Sequence, residues 1–386
     1  MSTQILLPPI LQIGADASRK IVEVLQSFHC QHPMIVTDSM MVKLGYVKVL
    51  VDDLKQSGIR ATIYEDTVPE PTIASLLDGV SLAKNENVDC LIAIGGGSPI
   101  DSAKAIGILA KYGGKMQDYR FPRIVNEPSM PIIAIPTTAG TGSEMTKFTI
   151  ITNEQTDEKM LCVGSGFMPA AALVDYKLTL SLPPRTTADT GVDAMTHAIE
   201  AYVSRKANPY SDTQALAALR LIAPNLLTVY RNGANEKARE AMMLGSMLAG
   251  CAFSNASVAL VHGMSRPIGA FFHVPHGLSN AMLLPQVTAF SIESAPARYA
   301  QCARAMQVAK MNDNDTVSNQ KLLSFLSELN VQLEVPSPKD YGIDKARYFE
   351  VAPIMAQQAL DSGSPSNNPV TPSIEEMVAI YHQVWN

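Results

Sequence analysis

Residues 89–112 read DCLIAIGGGSPIDSAKAIGILAKY, an apolar run that ends in Gly95-Gly96-Gly97-Ser98 and passes at once into a helical pattern. A continuous apolar strand is what a sheet covered on both faces requires, and its passage through glycines into a helix marks a βα unit. The same alternation recurs around it. HPMIVTD (residues 32–38) predicts a strand followed by a helix through about residue 57; ATIYED predicts a second strand, and PTIASLLDGVSLAKNEN a second helix. DCLIAIGGG is then the third strand, PIDSAKAIGILAKYGG the third helix and PIIAIPTT a fourth strand. Strands alternating with helices predict a parallel sheet with helices on its faces, an α/β Rossmann-like domain.

From about residue 185 the pattern changes. SLPPRTT (181–187) reads as a linker and helix start, and helical periodicity follows over 188–204, 209–231, 236–252, 255–265, 278–290, 295–311, 316–329, 343–359 and 373–385. The expectation is an α/β domain over residues 1–183 and an all-α domain over 184–386. SGSPSNNPVTPS (362–373) is the one loop-rich stretch of the second half.

Composition narrows the partners. With 47% hydrophobic and 17% charged residues the chain buries a large core, and a net charge of -6 gives no basic stripe for a nucleic acid. Five scattered cysteines without a C-x-x-C pair fit a reducing compartment. The N-terminus does not read as a signal peptide and no apolar run is long enough for a membrane span, so the expectation is a cytoplasmic protein with neither nucleic-acid nor membrane partners.

Two loops point to a phosphate-bearing cofactor. A capped helix alone accounts for Ser98 at the N-cap, Pro99 at N1 and Asp101 at N3. Three consecutive glycines exceed what capping needs, and they let backbone N–H groups approach an anion at a helix N-terminus. PIIAI is followed by Pro136-Thr137-Thr138-Ala139-Gly140-Thr141-Gly142-Ser143-Glu144, again at a strand's C-terminal end, where α/β folds bind ligands. Asp38, at the end of the first expected strand, is the candidate acid for an adenosine ribose and would favour NAD over NADP; an Asx turn or helix cap is the competing account.

The second half holds candidate metal ligands. Asp193 and His197 stand four apart in GVDAMTHAIEAY and so share one face of a helix. His262 and His276 flank a Gly/Pro-rich segment, VHGMSRPIGAFFHVPHG, in which Pro267 is expected to kink the helix and bring the two histidines together. Three imidazoles and one carboxylate suit a divalent first-row metal and leave room for a substrate oxygen. Each residue alone is weak evidence, since a lone histidine is more often structural and Asp193 could sit in a helix's first turn.

GGGSPIDSAK, PTTAGTGSE, GVDAMTHAIEAY and VHGM…VPHGLSNAMLLP, in this order and spacing, together resemble the iron-containing (group III) alcohol dehydrogenases over nearly the whole chain. The resemblance implies a dehydroquinate synthase-like architecture, a Rossmann-like N-terminal domain followed by an α-helical one, often in homodimers. It implies a metal held by Asp193, His197, His262 and His276, with Fe²⁺ from the family and Zn²⁺ or Mn²⁺ compatible with the ligands. It places NAD on Asp38, on Gly95, Gly96, Gly97 and Ser98, on Thr137 and Thr138, and on Lys159 and Phe253. The implied activity is an NAD(H)-linked alcohol dehydrogenase or aldehyde reductase, with a metal Lewis acid and hydride transfer, acting on small primary alcohols, diols or hydroxy-substituted substrates. The alternatives are a hydroxyacid–oxoacid transhydrogenase or another group III relative and, in a different class, a non-catalytic nucleotide-binding assembly protein.

The chain departs from the family at Arg266, where many members carry a second histidine credited with proton relay or substrate contact. Arginine stays protonated and takes up no proton at neutral pH. Proton release is then expected to run through metal-bound water, a ribose hydroxyl or nearby His273; alternatively Arg266 binds an anionic group of the substrate, or makes only a structural ion pair. The catalytic candidates are accordingly His262, His273 and Arg266, and Ser364 is a candidate for the substrate pocket.

Overall fold

The computed structural model describes residues 3–156 and 158–386, which form two compact units, Leu6–Ser181 and a second built on Leu182–Asn386. In the first, the strands are β1 (Ile10–Ile13), β2 (Pro33–Val36), β3 (Thr62–Tyr64), β4 (Cys90–Gly95), β5 (Ile132–Pro136), β6 (Phe148–Asn153), β7 (Glu158–Val163) and β8 (Ala171–Val174). The helices are α1 (Ile21–Ser27), α2 (Ser39–Lys43), α3 (Tyr46–Gln56), α4 (Ile73–Asn85) and α5 (Gly97–Tyr112). Six strands form a parallel sheet in the order β1-β8-β5-β4-β2-β3, while β6 and β7 pair as a separate antiparallel hairpin.

Every residue of β2, β4 and β5 is buried, because successive side chains enter different cores. Met34, Val36, Leu91, Ala93, Ile132 and Ala134 pack on α4 and α5 through Leu76, Ile100, Ala103 and Ile106. Ile35, Ile92, Ile94, Ile133 and Ile135 pack on α1 and α3 through Ile21, Leu25, Leu50 and Leu54. The chain runs outward from β2 to β3 and then returns to the other flank of β2 for β4 and β5. The order reverses between β2 and β4, the position where open α/β sheets bind ligands beyond their strand ends. Asp38 follows β2, the glycine turn closes β4, and Thr137 and Thr138 follow β5, so three adjacent strand ends carry the expected cofactor residues.

Two sequence expectations are corrected here. The N-cap of α5 is Gly96, not Ser98; no side chain caps this helix, and Ser98 lies inside its first turn with its hydroxyl accepting from the Glu70 N–H at 3.2 Å. Strands β1 and β8 and the β6–β7 hairpin were not anticipated, because β1 and β8 are four-residue runs inside longer apolar segments.

The second unit, among the described residues, is helical throughout: α6 (Pro184–Val203), α7 (Pro209–Arg231), α8 (Glu236–Ala256), α9 (Leu260–Phe272), α10 (His276–Ser291), α11 (Pro296–Ala305), α12 (Asp315–Gln332), α13 (Lys345–Asp361) and α14 (Ile374–Val384). No single helix is long and apolar enough to cross a membrane. Helix α6 is buried on all sides; from Thr187 to Val203 every residue but Thr190 is buried, so its polar side chains have only protein for company. Pro267 does not turn the chain. Helix α9 runs through it to Phe272, and the reversal falls at His273, which adopts a left-handed backbone with φ 54°. A proline costs a helix one hydrogen bond, and the burial of α9 from Leu260 to Ser265 and on to Gly269 outweighs that loss.

Candidate metal centre and cofactor loops

Asp193 and His197 project from one face of α6, His262 from the first turn of α9 and His276 from the first residue of α10. The ligand atoms of Asp193, His262 and His276 all lie within 4.8 Å of one another. Asp193 Oδ1 stands 3.3 Å from His262 Nε2, 3.7 Å from His276 Nε2 and 3.8 Å from His197 Nδ1. His197 borders this trio, stacked between Phe253 (centroids 4.1 Å apart) and His262 (4.3 Å).

Two residues that sequence reasoning missed organise the group. Glu200, one helical turn beyond His197, accepts from His262 Nδ1 at 2.6 Å through one oxygen and from the Val261 N–H at 2.6 Å through the other. This fixes the ring so that Nε2 faces Asp193, the arrangement by which a carboxylate orients a metal-binding imidazole. Asn280, four residues after His276 on α10, places Nδ2 at 2.7 Å from Asp193 Oδ1, 3.2 Å from His262 Nε2 and 3.3 Å from His276 Nε2. Both were within reach of the i,i+3 and i,i+4 rule that found Asp193 and His197.

The electrostatics define what the cluster lacks. Asp193 and Glu200 are both buried, and among the described residues neither has a lysine or arginine within 4.0 Å; their charged partners are imidazoles. Burial opposes ionisation of Asp193, yet the surrounding histidines hold its carboxyl below the ordinary carboxylate range. Burial alone would push His262 down, and the Glu200 and Asp193 carboxylates more than reverse this, raising it to about 9. In the metal-free protein a proton on His262 therefore supplies the missing positive charge. A divalent cation supplies it equally well, and the donor set of one carboxylate and imidazole nitrogens fits such an ion.

Close packing brings His276 to the cluster. A Cβ built on Gly277 would lie 2.3 Å from the Asp189 carbonyl oxygen, so α10 begins in backbone contact with α6 one turn ahead of Asp193. Gly277→Ala must push the two helices apart, since a backbone atom has no rotamer to yield. Overpacking of this kind costs about 1–3 kcal/mol, and metal affinity measured by chelator competition is expected to fall about tenfold or more with all four candidate ligands intact. Unchanged affinity would show that this contact does not set the spacing of the candidate ligands.

Of the remaining candidates in the second unit, Phe253 is buried and forms the stack on His197. His273 is exposed at the C-cap of α9. Arg266, one turn beyond His262, donates from Nη1 to Ser364 Oγ at 3.1 Å.

In the first unit, the Asp38 carboxylate caps α2, Oδ1 accepting from the Met40 and Met41 N–H groups at 2.9 and 3.0 Å, so the cap reading is realised. Gly95 (φ 150°) and Gly97 are demanded by the protein itself: a Cβ there would lie 2.5 Å from Pro99 and 2.9 Å from Thr141. Gly96 is different, with ordinary backbone angles (φ −73°) and room for a Cβ at 3.4 Å from Thr138. The Thr138 hydroxyl stands beside it, and the buried hydroxyl oxygens of Thr137 and Thr138 have no hydrogen-bond partner among the described residues. Orphaned hydroxyls on the loop beside an uncapped helix N-terminus fit a phosphate-bearing ligand. The fully buried Lys104 fixes the threonine loop, donating to Ser143 O, Ser143 Oγ, Thr146 Oγ1 and Phe148 O at 2.7–3.0 Å, while Asp101 accepts from the Ser143 hydroxyl at 2.6 Å. The IDSAK part of the glycine motif thus braces the second loop. Lys159 on β7 pairs with Glu70 at 2.6 Å.

Comparison with known proteins agrees with these features. Residues 8–176 match the family model described as "Iron-containing alcohol dehydrogenase", and residues 187–385 match "Fe-containing alcohol dehydrogenase family, C-terminal". The chain is similar to lactaldehyde reductase of Escherichia coli K12, 36% identical over 389 residues covering 100% of both chains. Among solved structures it resembles 1,3-propanediol oxidoreductase (TM-score 0.95, 34% identity, 100% of both chains). It also resembles sulfoacetaldehyde reductase from Bifidobacterium kashiwanohense in complex with NAD+ (TM-score 0.89, 26% identity, covering 100% of this chain and 99% of that one). Both halves of the chain, its fold and its ligand motifs therefore lead to one conclusion: it belongs to the iron-containing alcohol dehydrogenases.

Proposed function

We propose that the chain is an NAD(H)-linked alcohol dehydrogenase and aldehyde reductase for small primary alcohols, diols or hydroxy-substituted substrates, with a divalent metal held by Asp193, His197, His262 and His276. The observation that carries this is the trio of the buried Asp193 and His262 with the half-buried His276, with Glu200 behind it and, among the described residues, no lysine or arginine within 4.0 Å of either carboxylate. The names of lactaldehyde reductase and 1,3-propanediol oxidoreductase support short hydroxylated substrates, and the NAD+ complex of sulfoacetaldehyde reductase supports the cofactor. Fe²⁺ is the expected metal, and Zn²⁺ or Mn²⁺ suits the same donors. The five buried free thiols support a reducing, cytoplasmic setting, and a homodimer or larger homo-oligomer is the expected assembly.

When bound, the metal supplies Lewis acidity toward the reacting oxygen, and the nicotinamide takes up or gives hydride. The chain's own residues do the rest. Glu200 keeps the Nδ1 proton of His262 and so leaves Nε2 as the donor nitrogen. Phe253 covers one face of His197 and keeps water from it. Arg266 remains protonated and takes up no proton itself, and the exposed His273 is assigned to proton release. Asp38, through its second carboxylate oxygen, Gly95 to Ser98, Thr137, Thr138 and Lys159 are assigned to the dinucleotide.

The deciding experiment is NADH formation by purified protein, stripped of metal and then reconstituted with Fe²⁺ or Zn²⁺, over short alcohols, diols and hydroxy acids. Metal-dependent NADH formation is the expected result; activity indifferent to metal, or none with any substrate, rules the reading out. A second variant tests the cofactor loop. Because the protein has room for a Cβ at Gly96, Gly96→Ala is expected to leave the melting temperature nearly unchanged. NAD+ binding by calorimetry should weaken about tenfold or more, since the methyl occupies space a phosphate needs. Equal NAD+ affinity in the two proteins would remove Gly96 from the site.

A further inference from the structure

We propose that Arg266 and Ser364 form an anion-binding subsite beside the ligand cluster, and that the preferred substrate carries a carboxylate or sulfonate a short carbon chain away from its hydroxyl or aldehyde carbon. This deepens the reading above and rests on it for the reacting end of the substrate.

Helix geometry sets the position. Arg266 follows His262 by four residues on α9, so the two side chains leave the helix on one face, about 5–6 Å apart at their Cβ atoms. A molecule reacting at the cluster thus has Arg266 within reach of its other end. Ser364 is fixed from behind: the short turn it opens, Pro365–Asn367, is tied to the chain ahead of α9 by Asn367 Nδ2, which donates to Val258 O at 3.0 Å and Ser257 Oγ at 3.1 Å. Ser364 itself is buried.

The hydrogen-bond inventory supplies the reason. A guanidinium offers five N–H donors. Arg266 spends one on a neutral hydroxyl, and no carboxylate lies within 4.0 Å of it among the described residues, which removes the structural ion pair as an explanation. Other sheltered arginines of the second unit are satisfied differently. Arg185, Arg298 and Arg304 pair with Asp189, Asp212 and Asp315, and the buried Arg239 donates to Gly233 O, Thr187 Oγ1 and Leu182 O. The Glu200 carboxylate acts on Arg266 through its charge, but its oxygens are engaged by His262 and the Val261 N–H. The Ser364 hydroxyl accepts from Arg266 and retains its own proton to donate, so the pair presents a fork of N–H groups and an O–H to one oxyanion.

The test uses matched substrates and a readout that needs no turnover. Metal-loaded wild type, Arg266→Ala and Ser364→Ala are assayed with NAD+ on 3-hydroxypropionate, isethionate and neutral 1,3-propanediol. The same proteins without NAD+ are titrated calorimetrically with 3-hydroxypropionate and isethionate, with metal content and melting temperature measured alongside. Wild type is expected to favour an anionic substrate in kcat/KM, and Arg266→Ala to lower the anionic-to-neutral ratio about thirtyfold or more, with Ser364→Ala intermediate. Anion binding should be lost in step, and the carboxylate and sulfonate arms identify which head group fits. An unchanged ratio together with unchanged titrations overturns the subsite, as does a wild type that oxidises 1,3-propanediol but binds neither anion. Arg266-dependent anion binding without turnover of any substrate would instead keep the subsite and defeat the dehydrogenase reading.

Discussion

Asp193→Ala is expected to abolish retention of a divalent metal through dialysis and to lower alcohol-dependent NADH formation by about a thousandfold or more, the scale of several kcal/mol of lost Lewis-acid stabilisation. Asp193 Oδ1 is the atom toward which the three imidazoles converge, at 3.3–3.8 Å. Without it a cation would be held by neutral nitrogens alone in a buried site, with Glu200 turned toward the other side of His262. Truncation also deprives Asn280 Nδ2 of its 2.7 Å acceptor, so a loss of folding has to be separated from a loss of metal. Asp193→Asn does this. The amide oxygen still accepts from Asn280 while the charge is gone, so the variant should melt near wild type and still bind metal at least about a hundredfold more weakly. Full metal occupancy in Asp193→Asn, measured by elemental analysis, would remove Asp193 from the ligand set.

The parts legible in the sequence were those written in local periodicity. β2 to β5 appear as apolar runs because both faces of their sheet are covered, and most helices of the second unit were placed to within a few residues, with α9 and the end of α11 further off. Asp193 and His197 were legible because four residues is a helical spacing. Glu200 and Asn280 follow from the same spacing but carry no metal-ligand signature of their own; what marks them is the contact across to α9 and α6, which only the fold creates. Ser98 was misplaced because cap preferences favour serine, whereas the start of α5 is set by the packing of the glycine turn on Pro99 and Thr141. Pro267 misled for a related reason: a local rule about a lost hydrogen bond cannot weigh the burial of the helix around it. Arg266 was open to three accounts until the fold showed which carboxylates do not reach it.

The most informative single change behind the ligands is Glu200→Gln. Glu200 accepts three protons, from His262 Nδ1 and the N–H groups of Val261 and His262, the last at 3.4 Å. Glutamine fills the same space and offers one acceptor oxygen. With that oxygen on the backbone amides, its NH₂ faces His262 Nδ1 and forces the proton to Nε2, the nitrogen aimed at Asp193. Metal affinity is therefore expected to fall about 10–100-fold, the usual effect of losing such a partner. The pH dependence separates this role from mere packing. In the metal-free wild type His262 is raised to about 9, against the pull of burial, by Glu200 and Asp193. Metal binding must displace that proton, so wild-type affinity should climb from neutral pH toward pH 9. Removing the Glu200 charge lowers the proton affinity of His262, so the climb in Glu200→Gln should end at lower pH. The gap between the two proteins is then widest in alkaline solution and narrows as protons compete more strongly with the metal of the wild type. Parallel curves, equally displaced at every pH, would mean that Glu200 supports the cluster only by filling space.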